Sequence, residues 1–207
     1  MVTNLKRTCI FHIKSNISYY VLVLCGFLCG GIIAAACIFA FSELSVRELS
    51  AYLADFFESI GKNGTDSFEI FKIAVFSNLK FFIVLVLFSV MIIGLPFVLA
   101  MSGVFGYSFF FSFLFALKAY GIKGLLFFCG GMLLHHLITI PCFLLAIVIS
   151  VKFSVFVFKG KSDIKSELLG YVLKMSGLFL FSVLGALLQS YVEPIFLELM
   201  APVFVGG

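Results

Sequence analysis

The side chains able to do chemistry in this chain are few, and they sit in unusual places. His135 and His136 are adjacent inside a stretch, 124–151, that carries no charged residue. An imidazole in such a setting can move a proton, ligate a metal or hold a hydrogen bond, and ionisable groups in long apolar segments are functional candidates by default. Neighbouring helical residues project about 100° apart, which makes a shared metal awkward and a neutral, hydrogen-bonded imidazole the simpler reading. Asn78, Lys80 and Gln189 are the other polar side chains at or within apolar stretches, and they could join the histidines in one polar core. No carboxylate occurs between Glu69 and Asp163. A carboxylate proton relay or metal centre therefore has no ligands in the middle of the chain. Gly106-Tyr107-Ser108 with a distant histidine gives only a three-residue hint of an intramembrane serine protease. H-E-x-x-H and a phosphate-binding glycine loop are absent. The six cysteines, Cys9, Cys25, Cys29, Cys37, Cys129 and Cys142, form no C-x-x-C. Cys25 and Cys29 are read as small apolar packing residues sharing a helix face. These residues assign no catalytic group, no metal and no cofactor.

The elements that must position these groups follow from composition. Of 207 residues, 63% are hydrophobic, 12% are charged and 29 are Phe. Soluble proteins have roughly 45–50% and 25% in those first two classes. A soluble enzyme, a disordered chain and a nucleic-acid binder are excluded. The charges are also clustered, for 15–42, 81–117, 124–151 and 175–192 contain none. A membrane span needs about 20 apolar residues. The 37-residue stretch 81–117 would be about 56 Å long as one helix, so it must hold two spans, with Gly94-Leu95-Pro96 as the break. The sequence thus predicts an all-α integral membrane protein: one membrane domain over 1–207, a five-helix transmembrane bundle with an extracytoplasmic amphipathic helix. The spans are expected at about 19–41, 73–93, 97–117, 124–151 and 169–191. The first is too long for a signal-peptide core and is read as an uncleaved anchor. Lys80 would snorkel to the interface from the start of the second, and Pro141 would kink the fourth.

Five spans place the termini on opposite sides. Lys6, Arg7 and Lys14 precede the first span, and Lys152, Lys159, Lys161 and Lys165 cluster before the fifth. The positive-inside rule then predicts a cell-membrane protein with a cytoplasmic N-terminus and an extracytoplasmic C-terminus. The outer segment 42–71 carries six acidic residues against Arg47 and Lys62. Ser45-Val46-Arg47-Glu48 reads as a capping box, and Leu49, Leu53, Phe56, Phe57 and Ile60 have the spacing of one apolar helix face. That face either lies on membrane lipid or docks an extracytoplasmic partner. Gly26-x-x-x-Gly30, extended by Ala34, is a small-residue face suited to close helix packing, within one chain or at a homodimer seam.

Several of these motifs, in this order, resemble the stage II sporulation protein M family. Phe76-Ser77-Asn78-Leu79-Lys80 is similar to its Asn-Leu-Lys/Arg signature where the second span begins, and Ile93-Gly94-Leu95-Pro96 to its Gly-Leu-Pro break. Gly103-x-x-Gly106 and Gly121-x-x-Gly124 match glycines flanking its third span. His135-His136-Leu137-Ile138-Thr139-Ile140-Pro141 resembles its fourth-span motif, with Leu134, His136 and Thr139 departing from the usual residues. The resemblance implies a non-enzymatic membrane scaffold of sporulation. Such a scaffold recruits peptidoglycan hydrolases, a lytic transglycosylase and an amidase/endopeptidase, during forespore engulfment. The alternative left by the residues themselves is a small transporter or channel subunit. Its polar site would lie around Asn78, Lys80, Gly94, Pro96, His135, His136 and Pro141.

Overall fold

The computed structural model describes residues 16–52, 66–91, 94–160 and 164–196. Among them every regular element is helical. We number the helices α1 (Ile17–Ala40), α2 (residues 43–52), α3 (Ser67–Val90), α4 (Gly94–Phe127), α5 (Leu133–Phe158) and α6 (Ile164–Tyr191). Five of them are long and apolar enough to cross a membrane. Ile32, Phe39, Ile73, Val104, Leu137 and Leu180 all stand exposed on their outer faces, as a bundle solvated by lipid requires.

Helix ends are set by local chemistry. Asp66 caps α3 by accepting from the amides of Phe68, at 3.0 Å, and Glu69. The Ser42 hydroxyl accepts from the Ser45 amide at 3.2 Å, so α2 starts at residue 43. Ser45 therefore lies within the first turn, a correction to the capping box expected to begin there. The turn between α3 and α4 falls where Gly94-Leu95-Pro96 was expected to break the chain, with the Gly94 amide on the Met91 carbonyl at 2.9 Å. Residues 118–123, between the expected third and fourth spans, are helical. α4 continues as helix to Gly121, whose φ of +59° turns the chain back on itself. That left-handed conformation carries no penalty for glycine. Gly124 then packs so tightly that an added Cβ would lie 1.9 Å from the Ala116 carbonyl oxygen.

A π-helical turn, Phe128–Met132, leads into α5. Pro141 lies inside α5 without ending it, and the helix runs to Phe158, past the expected limit at 151. The core gathers around this helix, where Phe143, Ala146, Ile147, Val148 and Val151 are buried with Phe82 and Leu85 of α3 and Met175 of α6. Phe143 is the hub. It stacks on Phe81 at 4.2 Å, meets Phe82 edge-on at 5.7 Å and Phe105 of α4 at 5.1 Å. Offset and edge-to-face pairs of this kind add to plain apolar burial, which gives the many phenylalanines a packing role.

Candidate functional site

Three sets of polar contacts tie the helices together, one near each end of the bundle and one at the α1 terminus. The first contains the histidines. His135 is buried, and its Nδ1 meets Oε1 of Glu193, also buried, in the short helical extension that follows α6. His136 Nδ1 lies 2.7 Å from the Met132 carbonyl oxygen, the position of a donor in the π-turn junction. The two rings end 3.9 Å apart, and Phe109 and Phe128 flank His136 at 5.0 and 6.3 Å. The Thr139 hydroxyl donates to the His135 carbonyl at 2.9 Å, and Gly185 of α6 lies against it. The histidines stand in the first two turns of α5.

Glu193 escaped the sequence reading because it sits after the last apolar run, 58 residues from His135. A signal for it was present. A buried imidazole requires a partner, and the end of one span and the start of the preceding one meet at the same membrane face.

The second set lies towards the other end. The Tyr171 hydroxyl on α6 joins Ser89 of α3 at 2.7 Å and Ser150 of α5 at 2.9 Å, so one phenol links three helices. Tyr171 also stacks on Phe153 at 4.3 Å. The third set is a cap. Lys118 Nζ donates to the Ile38 and Phe41 carbonyls, at 2.6 and 2.9 Å, at the C-terminus of α1. Those carbonyls carry the negative end of the helix dipole, and the Ile38 carbonyl also accepts from the Phe41 amide at 3.3 Å. Tyr120 donates to the Ser50 carbonyl at 3.3 Å and holds α2 to α4.

The remaining residues singled out from the sequence make other contacts. Asn78 Nδ2 donates to the Ser182 carbonyl at 3.4 Å, an α3–α6 contact. Lys80 is exposed, its ammonium 4.6 Å from the Phe76 ring centroid. Gly94 and Pro96 lie in the first turn of α4, and Pro141 is exposed on α5. Gly26 and Gly30 face α4. An added Cβ would lie 2.2 Å from Ser102 Oγ at Gly26 and 2.0 Å from the Gly103 carbonyl oxygen at Gly30. Ala34 is fully buried. Cys25 and Cys29, expected to pack, are exposed instead, because the glycines took the inward face of α1. Leu49 is half-buried, while Leu53, Phe56, Phe57 and Ile60, like Cys9, lie outside the described residues.

Among the described residues no serine, threonine or cysteine hydrogen-bonds either imidazole, and Ser108 is exposed on α4. No group of three or more His, Cys, Asp or Glu that could hold a metal ion occurs among them. The Tyr171 and Lys118 contacts, and that of His135 with Glu193, hold one element to another.

Fold and contacts together define a multi-pass α-helical membrane protein braced by interhelical hydrogen bonds. The family model for stage II sporulation protein M matches residues 20–194, and the chain belongs to that family. It is a sporulation-related membrane protein. No curated protein and no solved structure matches it significantly.

Proposed function

We propose that this protein is a membrane scaffold that gathers peptidoglycan hydrolases, a lytic transglycosylase and an amidase/endopeptidase, at the septum during forespore engulfment. Family membership over residues 20–194 carries the reading. It is supported by a bundle whose described polar side chains brace helices and form no nucleophile–base couple. Cutting of the wall then belongs to the partners. The lysines at 152–165 and the acidic residues of 42–71 support a cytoplasmic N-terminus and an extracytoplasmic α2 segment, where those partners reside. The docking face is Leu49, Leu53, Phe56, Phe57 and Ile60.

Deleting the gene is expected to block septal thinning, and Phe56→Ser with Phe57→Ser to reduce co-purification of the hydrolases while membrane insertion persists. Normal engulfment in the deletion strain would remove the proposal. The transporter reading needs Asn78, Lys80 and the histidines around one site, and the described hydrogen bonds join none of them directly to another.

A further inference from the structure

We infer that the exposed face of α3 docks a membrane-spanning helix of another protein, one that carries a single carboxylate facing Lys80. The argument begins with depth. α4 runs uncharged from Gly94 to Leu117, 24 residues or about 36 Å, and Lys118 marks where it leaves the apolar layer by capping α1. α3 lies antiparallel to it, with Phe88 stacked on Phe97 at 5.0 Å and Phe81 by Phe105 at 6.2 Å. Lys80 is ten residues from the Val90 end of α3, about 15 Å, and so stands near mid-depth. The side chain leans back over Phe76, one turn or about 5.4 Å, which leaves it well inside the apolar layer. The sequence puts Lys80 at the start of the second span, snorkelling to the interface; α3 begins at Ser67, so Lys80 stands in the middle of that helix.

Other exposed lysines escape this position. Lys174 is followed by the 18 uncharged residues 175–192, about 27 Å, enough to fill the apolar layer beyond it, and Lys152 stands only six residues before the end of α5. An intramembrane cation normally faces the bundle interior and pairs with an anion. Lys80 does neither among the described residues.

Shape indicates the kind of occupant. Ile73, Phe76, Lys80, Ile83, Leu87 and Val90 form one exposed stripe at the alternating three- and four-residue spacing of a helix-packing seam. Ile83 and Leu87 also line an apolar groove completed by Val172 and Ser176 of α6, so a rod laid on the stripe is cradled on one side. A second copy of this chain is a poor occupant. Its sequence has no carboxylate from residue 70 to 162, and its Glu193 is engaged by His135. The inference does not depend on the sporulation role.

The test uses the full chain in phosphatidylcholine vesicles and a synthetic Leu/Ala transmembrane helix with one central Glu, compared with its Gln counterpart. Energy transfer between labels reads association. The Glu helix is expected to bind roughly tenfold more tightly than the Gln helix, as expected of a strong intramembrane polar contact. Lys80→Gln should erase the preference, Lys80→Arg keep it, and Lys80→Asp transfer it to a Lys-bearing helix. Equal binding of the Glu and Gln helices, or a preference that survives Lys80→Gln, overturns the inference. So does retention of phosphatidylglycerol by the wild type and not by Lys80→Gln, with no preference between helices, since a lipid headgroup then serves the ammonium.

Discussion

The buried polar residues that join helices have a geometric task, and His135 shows how much of that task a sequence can reveal. Its presence in an uncharged stretch marked it as a group needing a partner. The partner was hidden, because Glu193 follows the last apolar run and only the return of the chain brings it back. Removing one member of a buried pair leaves the other unsatisfied, at a cost of about 1–3 kcal/mol. Glu193→Ala and His135→Ala should each lower stability in detergent micelles by that amount. The double variant should lose clearly less than the sum, as coupled sites do. Strict additivity would show that the contact contributes nothing. For Lys80 the type was legible, while its position along the helix depends on where α3 begins, at Ser67.

At the scale of elements, the existence of five spans was readable because apolar length alone decides it. Their limits were not, because ends depend on caps and turns that hydropathy ignores. The Gly121 reversal and the π-turn at Phe128–Met132 are local geometry, and Pro141 fits into a helix that continues through it. The small-residue face of α1 was recognised, but its occupant required the structure. Gly30 meets the Gly103 carbonyl, and Gly106 meets that of Phe27, so the α1–α4 crossing is among the closest backbone approaches in the bundle. Gly30→Val should therefore destabilise by about 1–3 kcal/mol, the usual cost of overpacking. Gly177→Val, where nothing lies within 4 Å, is the control and should leave thermal stability nearly unchanged. Equal behaviour of the two variants would mean that the α1–α4 contact is softer than its geometry.

For the whole molecule, the sequence supplied helical class and span number but gave no hint that α5 is the central helix. Neighbour relations arise from long-range contacts, such as Phe143 with Phe81 and Phe105, that no periodicity encodes. Orientation rests on lysine placement and is testable directly. In a cysteine-free background, Ser45→Cys should react with an impermeant maleimide in intact cells. Lys159→Cys should react only after permeabilisation. The reverse pattern would invert the molecule and remove α2 from the side where wall hydrolases act.

The pairing of α1 with α4 also sets a timetable for synthesis. Gly30 leaves the ribosome 73 residues before Gly103 (103 − 30). At about 5–20 residues per second this is an interval of roughly 4–15 s. Through it the first span waits in the bilayer with its glycine face uncovered while α3 is made. Any truncated product that stops before the third span keeps that face bare, so nascent-chain quality control has a readable mark of an unfinished molecule.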